Sequence, residues 1–478
     1  MRIQLLLIAF TLLFSNSVLS QTQTGYKIEA QFKGISDTTC LLAYYYADQS
    51  KTFVKDTFRI DSKGKCIIES DEDMPWGMYI LAPGKNLGFI DLLIDDENRN
   101  FSLTADITDL IMTAKFTGSP QNEDLYAYRR FAGKKQETLQ PMFEELKKLR
   151  EEDGDTARIN KIRDILTKNE KEIIQFRTDY IKKKPNSFTS QLFTIMGDID
   201  VPDAPVDENG VKDSTFAYRY YKKHYFDGVN FADDRIIRTP VFKNKLERYF
   251  DQLVIQIPDS INKDADDLIA RIEGQEIFKY VIQHITNEAA NSKIMGMDAV
   301  YVHMVEKYYN KETAYWLDDT QLIRLNSIAK AKKPTLIGAT APDVTLKDTA
   351  GNYRRLHSVN ADYTAVYFWD PDCGHCKKAT PKMLALFNKM DSLGVSFQVY
   401  GVYTENEIPK WKEYIIENNL RWINVEDIDY KTGVKFIYDI KSTPAIFLLD
   451  KDKKVIAKQL GAEQLEDFME RLIKKEKG

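Results

Sequence analysis

The sequence predicts a multidomain α+β chain, with an N-terminal β-sandwich, a central α-helical module and a C-terminal α/β domain. Three observations carry this. At 478 residues the chain exceeds the roughly 250 to 300 residues that one hydrophobic core ordinarily serves. Its composition, 43% hydrophobic and 29% charged, supplies enough apolar surface for several cores and excludes a broadly disordered or collagen-like chain. The texture also changes twice. Short alternating runs divided by turn residues give way near Gln121 to long charged helical stretches, and alternating strand and helix patterns begin after Pro334.

Residues 1–20, MRIQLLLIAFTLLFSNSVLS, set a lone Arg2 before an apolar run from Leu5 to Phe14 and end in small polar residues. That is the layout of a signal peptide. The run is far shorter than the roughly 20 residues of a spanning helix, and the first cysteine, Cys40, is remote from the expected cleavage point. A soluble, periplasmic mature chain is expected, in a compartment where thiols are oxidised or deliberately kept reduced. Net charge is −5, with Lys/Arg interspersed among Asp/Glu. There is no basic footprint, so nucleic acid is not expected as a partner.

Residues 21–118 read as the β-rich, sandwich-like domain. YKIEAQF alternates apolar with polar, and CLLAYYYA, TFVKDTFRI, KCIIES, FIDLLI and FSLTAD follow between turn clusters such as Asp61-Ser62-Lys63-Gly64. Cys40 and Cys66 fall in these strands. Two alternatives stand: a disulfide closing a loop of about 26 residues, worth about 3 kcal/mol in chain entropy, or two free buried thiols.

Residues 119–333 read as helical, with apolar residues at helical spacing such as Ile159, Ile162, Ile165 and Leu166. The aromatic stretch from Thr215 to Phe231 is assigned to helix packing, not to chemistry. A basic stretch, Lys330 to Pro334, leads into the last domain.

Residues 334–478 read as one sheet with helices on both faces. APDVTLKDTAGNYRRL suggests a hairpin and Thr364 to Trp369 a strand. A helix follows with Met383, Leu386, Phe387 and Met390 on one face, then the strand VSFQVYGVY, a helix near Pro409 to Asn418, the strand AIFLLD, a short strand Val455 to Ala457 and a final helix Ala462 to Lys474.

Between the first of these strands and its helix stands WDPDCGHCKKATPKM, with Cys373 and Cys376 spaced C-x-x-C. Cysteine reacts as the thiolate, and a free thiol, with a pKa of about 8.5, is mostly protonated at neutral pH. At a strand-to-helix junction, unpaired N–H groups and the positive helix end lower the thiol pKa of Cys373. Cys376, one turn on, can close the disulfide. His375, Lys377 and Lys378 add positive potential, and Asp370 and Asp372 oppose it. A metal half-site would need a second ligand pair, yet Cys40 and Cys66 lie in the β-rich region and His224, His284, His303 and His357 are scattered. No metal and no cofactor are expected.

With this motif at the junction and KSTPAIFLLD downstream, the last 145 or so residues resemble the thioredoxin superfamily, and within it the exported thiol-disulfide oxidoreductases of the TlpA and ResA type. The resemblance implies a thioredoxin-like fold, with Cys373 and Cys376 as the redox pair. Gly374 and His375, the dipeptide of protein disulfide isomerases, would tune it. Pro444 would be a cis-proline against the dithiol, and the Thr443 backbone would pair with a substrate strand. Protein thiols and disulfides would be the partners, with a membrane or periplasmic protein recharging the dithiol. Two positions depart from the pattern. Tyr367 replaces the buried acid of thioredoxins, and Ala379 the glutamate often found in ResA-like proteins. The expected function is a periplasmic thiol-disulfide oxidoreductase acting through the CGHC dithiol. One alternative is a binding or scaffold protein whose thioredoxin-like domain is slow or inactive. Another is a thiol peroxidase, against which Asp370 stands where peroxiredoxins carry Thr or Ser.

Overall fold

In the computed structural model, which describes residues 25–48, 50–72, 74–152, 154–428 and 432–477, strand β1 (Tyr26–Lys33) buries Tyr26, Ile28, Ala30 and Phe32 and turns the intervening residues outward. That is the two-residue period of a half-buried strand. The expected signal peptide lies outside the described residues. The chain divides into two compact units. One comprises residues up to Ile199 with Phe226–Val229 and Arg235–Asn244; the other comprises Asp200–Tyr225, Asn230–Asp234 and Lys245–Gly478.

In the first unit β1 is joined by β2 (Thr38–Tyr45), β3 (Thr52–Ile60), β4 (Lys65–Ser70), β5 (Gly77–Pro83), β6 (Ile90–Ile94), β7 (Asn100–Asp106) and β8 (Lys115–Thr117). They form one continuous sheet in the order β6-β5-β2-β3-β4-β1-β7-β8. The sandwich-like region read from the sequence is thus one sheet, not two hydrogen-bonded ones. β3 is the link. Its residues Thr52 to Thr57 are exposed, and its register with β4 is Ile60 opposite Cys66. Cys40 on β2 and Cys66 on β4, two strands apart in that order, are nevertheless buried in one core. The sheet therefore closes over itself around β3. Both thiols are free.

Helices α1 (Leu110–Thr113), α2 (Pro120–Glu151), α3 (Thr156–Lys183) and α4 (Phe188–Met196) complete this unit. An edge strand leaves backbone groups unpaired, and α2 covers those of β6. Asn122 accepts from the Leu93 N–H at 2.7 Å and donates to its carbonyl at 2.8 Å, and the Asp91 N–H donates to the Tyr126 hydroxyl at 3.0 Å. Tyr126, Tyr128, Phe188 and Phe193 then join the strand core.

The second unit carries α5 (Phe216–His224), the end of α6 (Phe242–Arg248), a π-helical turn at Tyr249–Leu253, α7 (Pro258–Ile269), α8 (Gln275–Asn291), α9 (Asp298–Tyr308) and α10 (Asp319–Lys332). The N-cap of α8 is Gly274, which offers no capping side chain. Asp234 supplies it, accepting from the N–H groups of Glu276 and Ile277 at 3.0 and 3.1 Å. The α10 N-terminus has a complete capping box, Asp318 with Gln321.

The same unit ends in a seven-stranded sheet built from β9 (Thr345–Asp348), β10 (Tyr353–Arg355), β11 (Tyr363–Trp369), β12 (Phe397–Tyr403), β13 (Ile423–Glu426), β14 (Ala445–Leu449) and β15 (Val455–Lys458), in the order β10-β9-β13-β12-β11-β14-β15. β11 is central, parallel to β12 and antiparallel to β14, and buried at every residue. Its side chains split by period. Tyr363, Ala365, Tyr367 and Trp369 enter one core with α11 (Gly374–Ser392), α12 (Ile408–Glu417) and α14 (Ala462–Lys477). Val366 and Phe368 enter the opposite core with α13 (Val434–Ile437). Helices on both faces of one sheet agree with the fold class read from the sequence.

Candidate active site

Strand β11 ends at Trp369, and after four intervening residues helix α11 begins at Gly374. The turn between them is held locally. The Asp372 N–H donates to the Asp370 carboxylate at 2.9 Å, and the Cys373 N–H to the Asp370 carbonyl at 3.2 Å. Cys373 is the N-cap of α11, with extended backbone, so its sulfur faces the unpaired N–H groups of the first turn. On β12, opposite Tyr367, Gly401 lets two indoles close in. A Cβ there would lie 2.9 Å from Trp422 Nε1 and 3.2 Å from Trp369 Nε1.

The two thiols differ in exposure and in acidity. Cys373 is half-buried and Cys376 is buried. Burial raises the Cys373 thiol, but the Cys376 N–H, the Cys376 thiol, Thr443 and the His375 N–H together outweigh it and hold the pKa below the ordinary value. Burial pushes Cys376 up to about 12, against the backbone of Asp370 and against Thr443. The outer sulfur is the more acidic of the two, and the inner sulfur holds its proton at neutral pH.

The remaining sequence-selected residues lie around this pair. The Cys373 thiol donates to the Thr443 carbonyl at 3.4 Å, and the Thr443–Pro444 peptide bond is cis. At Gly374 an added Cβ would meet open space, so the approach to the dithiol is clear above the helix start. His375 is exposed and borders a cleft of about 660 Å³ with Lys378, Lys382, Thr443, Pro444 and Glu463. Asp372, one of the opposing acids, is paired with Lys410 at 3.2 Å.

Tyr367 and Ala379 stand at the two positions where the resemblance read from the sequence implies an acid. Tyr367 is fully buried and its hydroxyl lies 2.9 Å from Thr380 Oγ1. Burial holds the Tyr367 hydroxyl well above its usual range, with Cys376 and Cys373 adding to the shift, and burial also raises the Tyr414 hydroxyl. Glu405 is engaged by Lys435 at 2.6 Å. Thr380 and Tyr414 were not singled out from the sequence, which named Tyr367 only as a departure from the expected acid. The available signal was Thr380 standing four residues after Cys376, on the same helix face.

Comparison with known proteins gives three family matches along the chain. Residues 26–125 match a domain of unknown function, DUF4369, residues 174–333 another, DUF5106, and residues 337–458 the AhpC/TSA family. The thiol-disulfide oxidoreductase ResA of Bacillus cereus is 29% identical over 144 residues, 30% of this chain and 81% of that protein. A domain of a possible thiol-disulfide isomerase from Cytophaga hutchinsonii is 39% identical, covering 30% of this chain and 96% of that one, with a TM-score of 0.28. A thioredoxin-like protein from Bacteroides caccae covers 57% of this chain and 98% of its own at 21% identity, with a TM-score of 0.44. The C-terminal domain is thioredoxin-like, its relatives are thiol-disulfide oxidoreductases of the ResA type, and further domains precede it. Among the described residues, no helix is long and apolar enough to cross a membrane.

Proposed function

We propose that this thiol-disulfide oxidoreductase works outside the cytoplasm, in the periplasm, exchanging disulfides with exported proteins through Cys373 and Cys376. The observation that carries the reading is the asymmetry of the pair: an accessible sulfur with a lowered pKa at a helix start, and a buried one with a pKa raised to about 12. In the reducing direction, the Cys373 thiolate attacks one sulfur of a partner disulfide. A mixed disulfide forms and the partner's other sulfur leaves as a thiolate. Cys376 then loses its proton and attacks the Cys373 sulfur, so the Cys373–Cys376 bond forms and the second partner thiolate leaves. The dithiol gives up two electrons and the partner gains two. The oxidising direction runs the same steps backwards. Substrate backbone would pair with Thr443, beside Pro444, with His375 and Gly374 at the mouth. A membrane or periplasmic redox protein would restore the starting state.

The test is exchange with a reduced or disulfide-bonded protein. Cys373→Ser abolishes it, and Cys376→Ser accumulates the mixed disulfide. Full activity in Cys373→Ser sinks the reading. A potential measured in glutathione or dithiothreitol buffers assigns the direction, between about −270 mV for thioredoxin-like reductants and about −120 mV for strong exported oxidants.

One observation favours a second reading, a binding protein with slow exchange: Tyr367 and Ala379 leave Cys376 without an acid at either usual position. A partner held equally well by the Cys373→Ser, Cys376→Ser double variant would support it.

A further inference from the structure

Helix α8 carries His284 and Glu288, one turn apart on one face. Glu247, in the last turn of α6, meets them there. One ligand atom from each of the three lies within 4.8 Å of the others. The three come from two separate helices, so the grouping is a product of packing, which is why the sequence alone does not disclose it. The π-helical turn that continues α6 brings Asp251 beside them.

Glu247 and His284 are half-buried, while Glu288 and Asp251 are exposed at the rim of this cluster. The imidazole ring is oriented, stacked on Tyr280 at 5.7 Å between centroids and 17° between planes. A cavity of about 180 Å³ opens on the cluster, lined by Asp251, His284 and Glu288 and by the apolar Phe250, Ile285 and Met297. It supplies an entry path and room for a water.

We propose that Glu247, His284 and Glu288 bind a divalent cation of the Zn²⁺ class, with Asp251 beside them and the remaining position open to the cavity. One nitrogen and two carboxylate oxygens form a donor set suited to zinc and its first-row neighbours. An all-oxygen set would suit Mg²⁺ or Ca²⁺, and a thiolate set Cu(I). Bound there, the ion cross-links α6 to α8.

The experiment is calorimetric titration with Zn²⁺ of the full-length chain carrying Cys373→Ser and Cys376→Ser, which removes the dithiol as a competing ligand. Co²⁺ absorption serves as a second readout, since its d–d bands report the coordination number. One ion per chain is expected, weakened about tenfold or more by Glu288→Gln and by His284→Gln, with a rise in melting temperature on Zn²⁺ addition that both variants lose. Glu288 is exposed, so Glu288→Gln leaves the fold intact and keeps the comparison valid if His284→Gln unfolds. Absence of stoichiometric Zn²⁺ binding overturns the proposal, as does binding that Glu288→Gln and His284→Gln leave unchanged.

Discussion

The Tyr367 hydroxyl and Thr380 Oγ1 form a 2.9 Å hydrogen bond between two fully buried side chains, one on the central strand and one on the helix that carries Cys376. Removing one partner leaves the other unsatisfied, at about 1 to 3 kcal/mol, whereas removing both is nearer neutral. Tyr367→Phe and Thr380→Val should each lower the urea midpoint, and the double variant should cost less than the two singles together. The Tyr367 hydroxyl is held above its usual pKa and stays neutral at working pH. Tyr367→Phe should therefore move the reduction potential by less than about 30 mV. A larger shift would mean that Tyr367 carries charge in the exchange.

The unequal acidity of the thiols makes a labelling prediction. At pH 7 iodoacetamide should modify Cys373 faster than a free thiol, while Cys376, pushed up to about 12, stays unlabelled in the native protein and also in Cys373→Ser. The stability signs are opposite. The lowered pKa of Cys373 stabilises the reduced fold above the unfolded thiol pKa, a contribution lost as pH falls through the folded value. The raised pKa of Cys376 stabilises it below the unfolded value, a contribution lost as pH rises towards about 12. Equal labelling of both thiols at pH 7 by mass would contradict the assignment.

His375 acts on Cys373 through its backbone N–H, which separates two substitutions usually treated alike. His375→Pro removes that donor, and proline is tolerated in a first helical turn. His375→Ala keeps it. The thiolate should be less stable in His375→Pro, which makes the dithiol more reducing, by about 30 mV for each pKa unit lost. His375→Ala should shift the potential less. Equal shifts would assign the effect to the ring.

What could be read from the sequence followed from strong local periods. The junction of β11, Cys373 and α11 lies where the apolar run and the C-x-x-C put it, because a fully buried strand and a one-sided helix leave unmistakable patterns. The short β13, Ile423–Glu426, has no such pattern in four residues, yet it joins β9 to β12 and completes the sheet. β3 was legible as a strand, but its exposed stretch gave no sign that the N-terminal sheet closes over it. Tyr367 and Thr380 are 13 residues apart on a strand and the helix that follows it, and Glu247 and His284 lie on separate helices. Only packing brings them together.

Lys458 on β15 and Asp298 on α9 form an ion pair buried on both sides, so the helical and α/β parts of the second unit share a charged contact inside it. Lys458 Nζ also donates to the Thr335 carbonyl at 2.9 Å. Burial lowers the Lys458 pKa, and Asp298 opposes that shift. Lys458→Met strands the Asp298 carboxylate, and breaking a buried pair from one side costs about 3 to 5 kcal/mol. Lys458→Met with Asp298→Leu replaces both charges with apolar groups and should recover most of that loss. Urea unfolding followed by tryptophan fluorescence checks both. If the single variant matches the wild-type midpoint, the pair contributes nothing to holding α9 against β15.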